Sequence, residues 1–145
     1  MTRMSHHAAL LDGLAKHLAD REMGVYNADG EFAPTERGIT ISAFPDSPRE
    51  VVALTLYSPE FTRLSATSER RLSAASVQIK YRLTGHPLAG VEYFDTLSSV
   101  LDGKRIDLGP FSAACDYLSY TPLGMNNAGA WTFSTNWRFH SLQSL

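Results

Sequence analysis

The sequence predicts an α+β domain in which an antiparallel or mixed sheet of about five strands carries two helices on one face, in the order α-β-β-β-α-β-β. A leucine stripe near the N-terminus predicts the first helix. An alternating strand that passes through Gly-His-Pro into an amphipathic segment ending at glycine predicts the second. The last strand places two tryptophans and two phenylalanines on one side, and these helices are the elements available to cover that apolar face.

The first helix is predicted over residues 5–21. Leu10, Leu14 and Leu18 recur at intervals of four residues and form one apolar stripe. Gly24 is a plausible stop for this helix. Residues 26–30 contain Asn, Asp and Gly, which favour a turn, so an exposed connection is expected to follow the helix.

Three strands are predicted next. Residues 39–41 alternate in polarity and end near Pro45, whose ring cannot donate to a ladder. Residues 51–57 are apolar on both sides, which is typical of a strand inside a sheet, and Pro59 is expected to end it. From residue 75 to 83 the alternation is strict, so one side of this strand should face solvent.

The second helix is predicted to begin after Pro87 and to end at Gly103, because apolar residues recur there at helical spacing. A short extended piece at Ile106 and Leu108 follows. Two final strands are predicted over residues 111–120 and 130–140, joined by a loop rich in Gly and Asn.

Length and composition indicate one domain, residues 1–145, with a formal charge of -2. Thirteen Lys and Arg against fifteen Asp and Glu do not favour duplex DNA as the main partner. The N-terminal segment lacks the apolar core of a secretory signal, and no run approaches the ~20 apolar residues that span a bilayer. A soluble protein of a reducing cytoplasm, with no membrane partner, is therefore expected.

The residues that could carry chemistry do not form a recognisable constellation. His6 and His7 are adjacent, so on a helix they cannot share one metal ion, and the other histidines stand alone. Cys115 lies in an alternating apolar segment, which favours core packing over a nucleophilic role. No phosphate-binding glycine motif is present. The sequence therefore predicts no enzyme, no cofactor and no metal site.

The segment 58–76 is rich in Ser, Thr and Arg and is predicted to be a loop. It carries Arg63, Arg70 and Arg71, which only two glutamates oppose. Two interpretations stay open: a mobile solvated connection, or a segment that a neighbouring subunit orders. Arginine is favoured over lysine at protein interfaces.

Three stretches together resemble the tail terminator proteins of long-tailed bacteriophages, often called phage minor capsid proteins. They are GITISAFPDSPREVVALTLY at residues 38–57, SVQIKYRLTGHPLAGVEYFDTLSSVLDG at 76–103 and YTPLGMNNAGAWTFSTNWRFH at 120–140. Their order and spacing carry the resemblance. The chain departs from the usual pattern after the VQI strand, where it reads Arg82-Leu83-Thr84-Gly85.

The resemblance implies a structural virion protein, a homohexameric ring at the head-proximal end of the tail that is assembled in the host cytoplasm. Such a ring caps the tail tube, stops polymerisation of the tube protein and contacts the head-tail connector or stopper protein, while DNA only passes through its lumen. The arginines of segment 58–76 would reach a neighbouring subunit or the tube. A polar sheet face would contribute to the same contacts through Gln78, Lys80, Arg82, Ser134, Asn136 and Arg138.

Two alternatives remain at this point. A head completion or neck protein of the same particle would share the size and the lack of catalytic motifs, although such proteins are typically richer in helix. A small α+β ligand-binding domain or enzyme would need a pocket between sheet and helices, lined by Tyr81, Tyr117 and Trp137. A packed core at those three residues would remove that pocket.

Overall fold

A computed structural model describes residues 4–144 of the chain. The two helices are α1 (His6–Asp20) and α2 (Leu88–Leu101). The strands are β1 (Val25–Tyr26), β2 (Arg37–Ile41), β3 (Glu50–Arg63), β4 (Arg70–Leu83), β5 (Arg105–Asp107), β6 (Ser112–Met125) and β7 (Trp131–Ser144). The chain is thus α+β, as predicted.

The strands form one mixed sheet in the order β1-β2-β3-β4-β7-β6-β5. The β1–β2 and β2–β3 pairs are parallel, and all other pairs are antiparallel. The sheet has seven strands, so the prediction of about five was too low. One extra strand, β5, lies at the short extended piece predicted around Ile106, and the other, β1, has two residues, which is too short for alternation to reveal it.

The segment 58–76 is not the loop that was predicted. Strand β3 continues to Arg63 and β4 begins at Arg70, so only residues 64–69 connect them. Pro59 does not end β3, because a bulge between Tyr57 and Glu60 accommodates it, with Ser58 at φ 49°. Strands β6 and β7 likewise run past their predicted ends to residues 125 and 144.

Both predicted helices are confirmed. The Ser5 hydroxyl caps α1 by accepting a hydrogen bond from the Ala8 amide at 3.4 Å. The chain leaves α1 through Glu22, at φ 61°, and not at Gly24 as expected. Helix α2 ends as predicted: Asp102 is its C-cap and Gly103 follows at φ 68°, a conformation that favours glycine.

The core lies between the sheet and the two helices, which pack on the same face. Leucines of both helices share this core with β4 and β7, where Trp137 and Tyr81 are fully buried. The Tyr81 hydroxyl donates to the Gly90 carbonyl of α2 at 2.7 Å. The Tyr93 hydroxyl donates to the Met23 carbonyl just after α1, at 2.9 Å, and links the two helices. Within residues 4–144, the opposite sheet face carries no helix.

Candidate assembly surfaces

Two segments of the sheet border have a strand partner on one side only, within the described range. Strand β2 pairs with β3 over residues 50–54, so residues 56–63, the β3 edge, pair with β4 alone. Strand β5 pairs with β6 over residues 112–114, so residues 118–125, the β6 edge, pair with β7 alone. Both edges therefore present backbone groups that an added strand could pair with.

Large apolar side chains are exposed along both edges. The β3 edge carries Phe61, 44% exposed, and the β6 edge carries Leu118 and Leu123, 48% and 52% exposed. Each edge also contains one proline. The β3 edge has one bulge, between Tyr57 and Glu60, and the β6 edge has two, between Tyr117 and Ser119 and between Pro122 and Gly124. These features interrupt a continuous ladder, so added pairing would be confined to the short stretches beside and between the bulges.

The strands β3 and β4 form a hairpin whose outer part, residues 57–74, is here named the basic hairpin. It carries Arg63, Arg70 and Arg71, the three arginines predicted to reach a neighbour. The Arg71 guanidinium lies over the Phe61 ring, 3.6 Å from its centroid, and its Nε donates to Gln143 at 3.0 Å. Arg63 and Arg70 are exposed near the turn.

The predicted polar face exists on the helix-free side, and its side chains bond mainly to residues of neighbouring strands and loops. The Gln78 amide donates to the Ser134 hydroxyl at 3.1 Å. The Asn136 amide donates to the Ser119 hydroxyl at 2.8 Å. The Lys80 ammonium lies 4.4 Å from the centroid of the Phe44 ring.

Arg138 makes three polar contacts with residues of β3 and β4. Its Nη1 donates to the Ser58 carbonyl and to the Ser76 hydroxyl, both at 2.9 Å. Its Nη2 lies 3.0 Å from the Glu60 carboxylate. Arg138 therefore holds the bulged part of β3 against the centre of the sheet.

Arg82 is the most buried of the predicted contact residues, at 6% exposed. Its Nε donates to the Arg49 carbonyl at 2.8 Å, and Nη2 donates to the carbonyls of Pro45 and Pro48 at 2.7 and 2.8 Å. The loop between β2 and β3 thus closes over this side chain. The monomer itself uses the guanidinium, which explains its burial without a neighbour.

A cluster at the start of α1 joins that helix to the base of the basic hairpin. His6 hydrogen-bonds to Ser141 at 2.8 Å and stacks on Phe111, and His7 hydrogen-bonds to Ser73 at 3.1 Å. Burial holds the pKa of both imidazoles below the usual value, and Arg71 lowers each pKa further. His7 lowers the pKa of His6 as well.

This cluster should make the folded state less stable in mild acid. Because the folded pKa values of His6 and His7 are lowered, the unfolded chain binds more protons, and stability falls as pH drops below about 6.5. We expect Tm to be lower by a few degrees at pH 5.5 than at pH 7.5. The double substitution His6→Asn and His7→Asn should flatten this pH dependence.

The control for this prediction is His86→Asn, which changes an exposed histidine outside the cluster. It should leave the slope of Tm against pH as in the wild type. Some slope will remain in the double variant, because burial also lowers the pKa of His17. Equal slopes for the double variant and the wild type would contradict the role assigned to the cluster.

The residues considered for chemistry lie apart. Cys115 is buried as predicted, and burial raises the pKa of its thiol, so the nucleophilic thiolate is scarce at neutral pH. Within residues 4–144 no three His, Cys, Asp or Glu side chains are grouped so that they could hold a metal ion. Of the helices in that range, none is long and apolar enough to cross a membrane.

The pocket required by the ligand-binding alternative is filled by side chains. Trp137 and Tyr81 have no exposed surface, and the rings of Tyr117 and Trp137 lie edge to face with their centroids 5.6 Å apart. Phe94 of α2 packs against Tyr117, with 5.7 Å between the ring centroids. The interpretation of these three residues as a pocket lining is therefore wrong.

Sequence reasoning missed the two edges and the acidic residues beside one of them. Asp95 and Asp102 of the α2 region and Asp116 of β6 are exposed near the β6 edge. They come from two different elements, so only the fold brings them to one border of the sheet. The sequence holds one weak indication of the β6 edge. Tyr117 and Leu118 are adjacent apolar residues in an otherwise alternating strand, so one of them must depart from the alternation of faces.

No family model matches this chain, and no curated protein matches it. A solved structure described as "Virion of native gene transfer agent (GTA) particle" contains a similar chain. The similarity covers 72% of this chain and 78% of that chain, with a TM-score of 0.52 and 12% sequence identity. At this identity the likeness shows a shared fold over the matched part of the two chains.

Proposed function

We propose that this protein is a structural component of a phage-like virion, and specifically a tail terminator that forms a homohexameric ring. The ring would cap the tail tube, stop its polymerisation and contact the head-tail connector, while DNA passes through the lumen. The observation that carries this proposal is the pair of uncovered edges, the β3 edge and the β6 edge, on opposite borders of one sheet. The fold shared with a chain of a virion supports the proposal that this protein belongs to a phage-like particle.

The strand directions suit a ring of identical copies. Along β3, β4, β7 and β6 each neighbouring pair is antiparallel, so β3 and β6 run in opposite directions. When one copy is rotated to stand beside the next, β3 of the first and β6 of the second are antiparallel. Head-to-tail contacts of this kind close into a ring when the rotation closes, and every edge is then covered.

The positions of the two edges require a stagger. Lys80 pairs with Ala53 on one side and with Ser134 on the other, and Ser134 pairs with Thr121. Thr121, near the middle of the β6 edge, is thus level with Ala53 of β3. The middle of the β3 edge lies about seven residues beyond Ala53 along β3, a distance of ~23 Å. Neighbours that pair through these edges must shift along the strands by that distance, and such a stagger tilts the strands in a closed barrel.

The experiment is native mass spectrometry of the purified chain, alone and with tail tubes of the same particle. We expect a species of six times the 16.0-kDa chain, either free or on tube ends. A chain that stays monomeric and does not bind tubes would overturn the proposal. A neck protein is distinguished by adding purified head connector to a second sample, because it would bind the connector and leave naked tube ends unoccupied.

A further inference from the structure

We propose that the basic hairpin of one copy docks on an acidic patch beside the β6 edge of the next copy. This inference rests on the ring proposed above and specifies its interface. The acidic patch consists of three carboxylates and three exposed apolar side chains on α2 and β6, namely Asp95, Asp102, Asp116, Val91, Tyr117 and Leu118. The occupant is therefore a second copy of this chain.

Charge complementarity is the first argument. Among residues 4–144, none of the three carboxylates lies within 4.0 Å of a lysine or arginine nitrogen, and Asp116 is paired only with exposed His140 at 3.5 Å. Lys104 and Arg105 lie next along the chain from Asp102 but form no such pair.

The hairpin supplies the opposite charge. In the described part of the chain no carboxylate lies within 4.0 Å of the Arg63, Arg70 or Arg71 guanidinium. Of the two glutamates in the hairpin, Glu60 is already paired with Arg138. The three carboxylates thus have no lysine or arginine partner, and the three arginines have no carboxylate partner, within the described residues. Opposite charges placed in this way on two borders of the same molecule attract copies head to tail and repel the wrong orientation.

The charges also match face by face, which is the second argument. Arg63 of β3 lies opposite Arg71 of β4 in the strand register, so the two side chains are on the same face of the sheet. The Arg71 side chain contacts Phe61 and Gln143 on the helix-bearing face. Asp95, on the surface of α2 near Tyr120, belongs to that same face.

On the helix-free face the correspondence is between Arg70 and Asp116. Arg70 precedes Arg71 and therefore points to the opposite side of β4. Asp116 of β6 lies opposite Arg138 of β7 in the strand register, and Arg138 is a member of the polar face, so Asp116 is on the helix-free side as well. A sheet that continues from copy to copy keeps its faces, so each arginine meets a carboxylate on its own side.

Exposed apolar side chains on both partners form the third argument. Phe61, Leu64 and Leu72 of the hairpin are 44%, 53% and 48% exposed. Val91, Tyr117 and Leu118 of the acidic patch are 42%, 41% and 48% exposed. Such a combination of apolar centre and charged surroundings is the usual composition of a protein interface. The stagger derived above brings these two sets of side chains together.

The test uses two charge-reversed variants. In one, Arg63→Glu and Arg70→Glu make the hairpin acidic; in the other, Asp95→Lys and Asp116→Lys make the patch basic. Each variant alone has like charges at every junction, and we expect at least a tenfold loss of the hexamer in native mass spectrometry. An equimolar mixture has opposite charges at every junction, so it should form rings with three copies of each variant.

The control changes the same charge elsewhere: Arg21→Glu with Arg49→Glu should leave the hexamer as in the wild type. Circular dichroism must show the reversed variants folded; an unfolded variant is replaced by the neutral pairs Arg63→Gln with Arg70→Gln, and Asp95→Asn with Asp116→Asn, which should weaken the ring less than reversal.

Two outcomes separate the proposals. A wild-type ring with reversed variants that still assemble, or with a mixture that does not recover, overturns this interface and leaves the ring intact. A wild-type chain that forms no ring, alone or on tubes, overturns the ring and the interface with it.

Discussion

Replacement of Arg82 by methionine should lower the free energy of unfolding by about 3 kcal/mol, although Arg82 was predicted from the sequence to be a contact residue. The side chain is 6% exposed and donates to the carbonyls of Pro45, Pro48 and Arg49. Methionine fills a similar volume but donates nothing, so these three acceptors lose their charged donor. Hydrogen bonds to a charged group are worth roughly 1.5–3 kcal/mol each, and partial access of water to the loop reduces the sum.

Chemical denaturation followed by circular dichroism measures this effect, with two controls on the same strand. Arg82→Lys keeps the charge but cannot present nitrogens to all three carbonyls, so it should lose about half as much. Lys80→Met removes a cation that lies over Phe44 and has no ion pair in the described residues, and it should cost less than about 1 kcal/mol. If the Arg82→Met monomer has unchanged stability but no longer forms rings, Arg82 is a contact residue of the interface.

The contrast between Arg82 and its neighbours explains why alternation alone predicted an exposed contact residue at this position. In β4 the polar positions Gln78, Lys80 and Arg82 all face the helix-free side, as predicted. Alternation reports the face of a sheet and not what covers it. The loop between β2 and β3, which folds over the last of the three, is a long-range arrangement that strand periodicity does not encode.

The two helices were predictable because their apolar stripes and their ends are local. The Leu10, Leu14 and Leu18 stripe of α1 is fully buried, and the Gly103 stop of α2 was predicted correctly. Strand lengths were less accessible. Pro59 and Pro122 ordinarily end a strand, yet both lie at bulges, and a bulge depends on the partner strand that receives it.

The candidate interface was predictable only in part. The three arginines of the basic hairpin stand close together in sequence, so their composition suggested a contact surface. The carboxylates of the acidic patch come from α2 and β6 and meet only because β6 lies at the border of the sheet beside α2. An interface whose residues come from a helix and a strand has no single run of charged residues in the sequence to mark it.

Replacement of Trp137 by alanine should have the largest effect, a loss of about 3–5 kcal/mol. The indole has no exposed surface and packs against Phe94 and Tyr117. Its Nε1 donates to the Thr135 hydroxyl at 2.8 Å, and that hydroxyl donates to the Ile79 carbonyl at 2.8 Å. Alanine would leave a cavity in the middle of β7 and remove one bond of this chain. A domain with a typical stability of about 5–15 kcal/mol would then be close to unfolding.

Trp131 provides the matched control, because it lies on the same strand and the same face but is partly exposed. Trp131→Ala should cost less than half as much in thermal or denaturant unfolding. Trp137→Phe keeps most of the packing and loses only the indole donor, at about 1 kcal/mol, so it should stay folded and keep Tyr117 in place within the acidic patch. That variant should therefore still form the ring. Equal losses for Trp137→Ala and Trp131→Ala would contradict the central position assigned to Trp137.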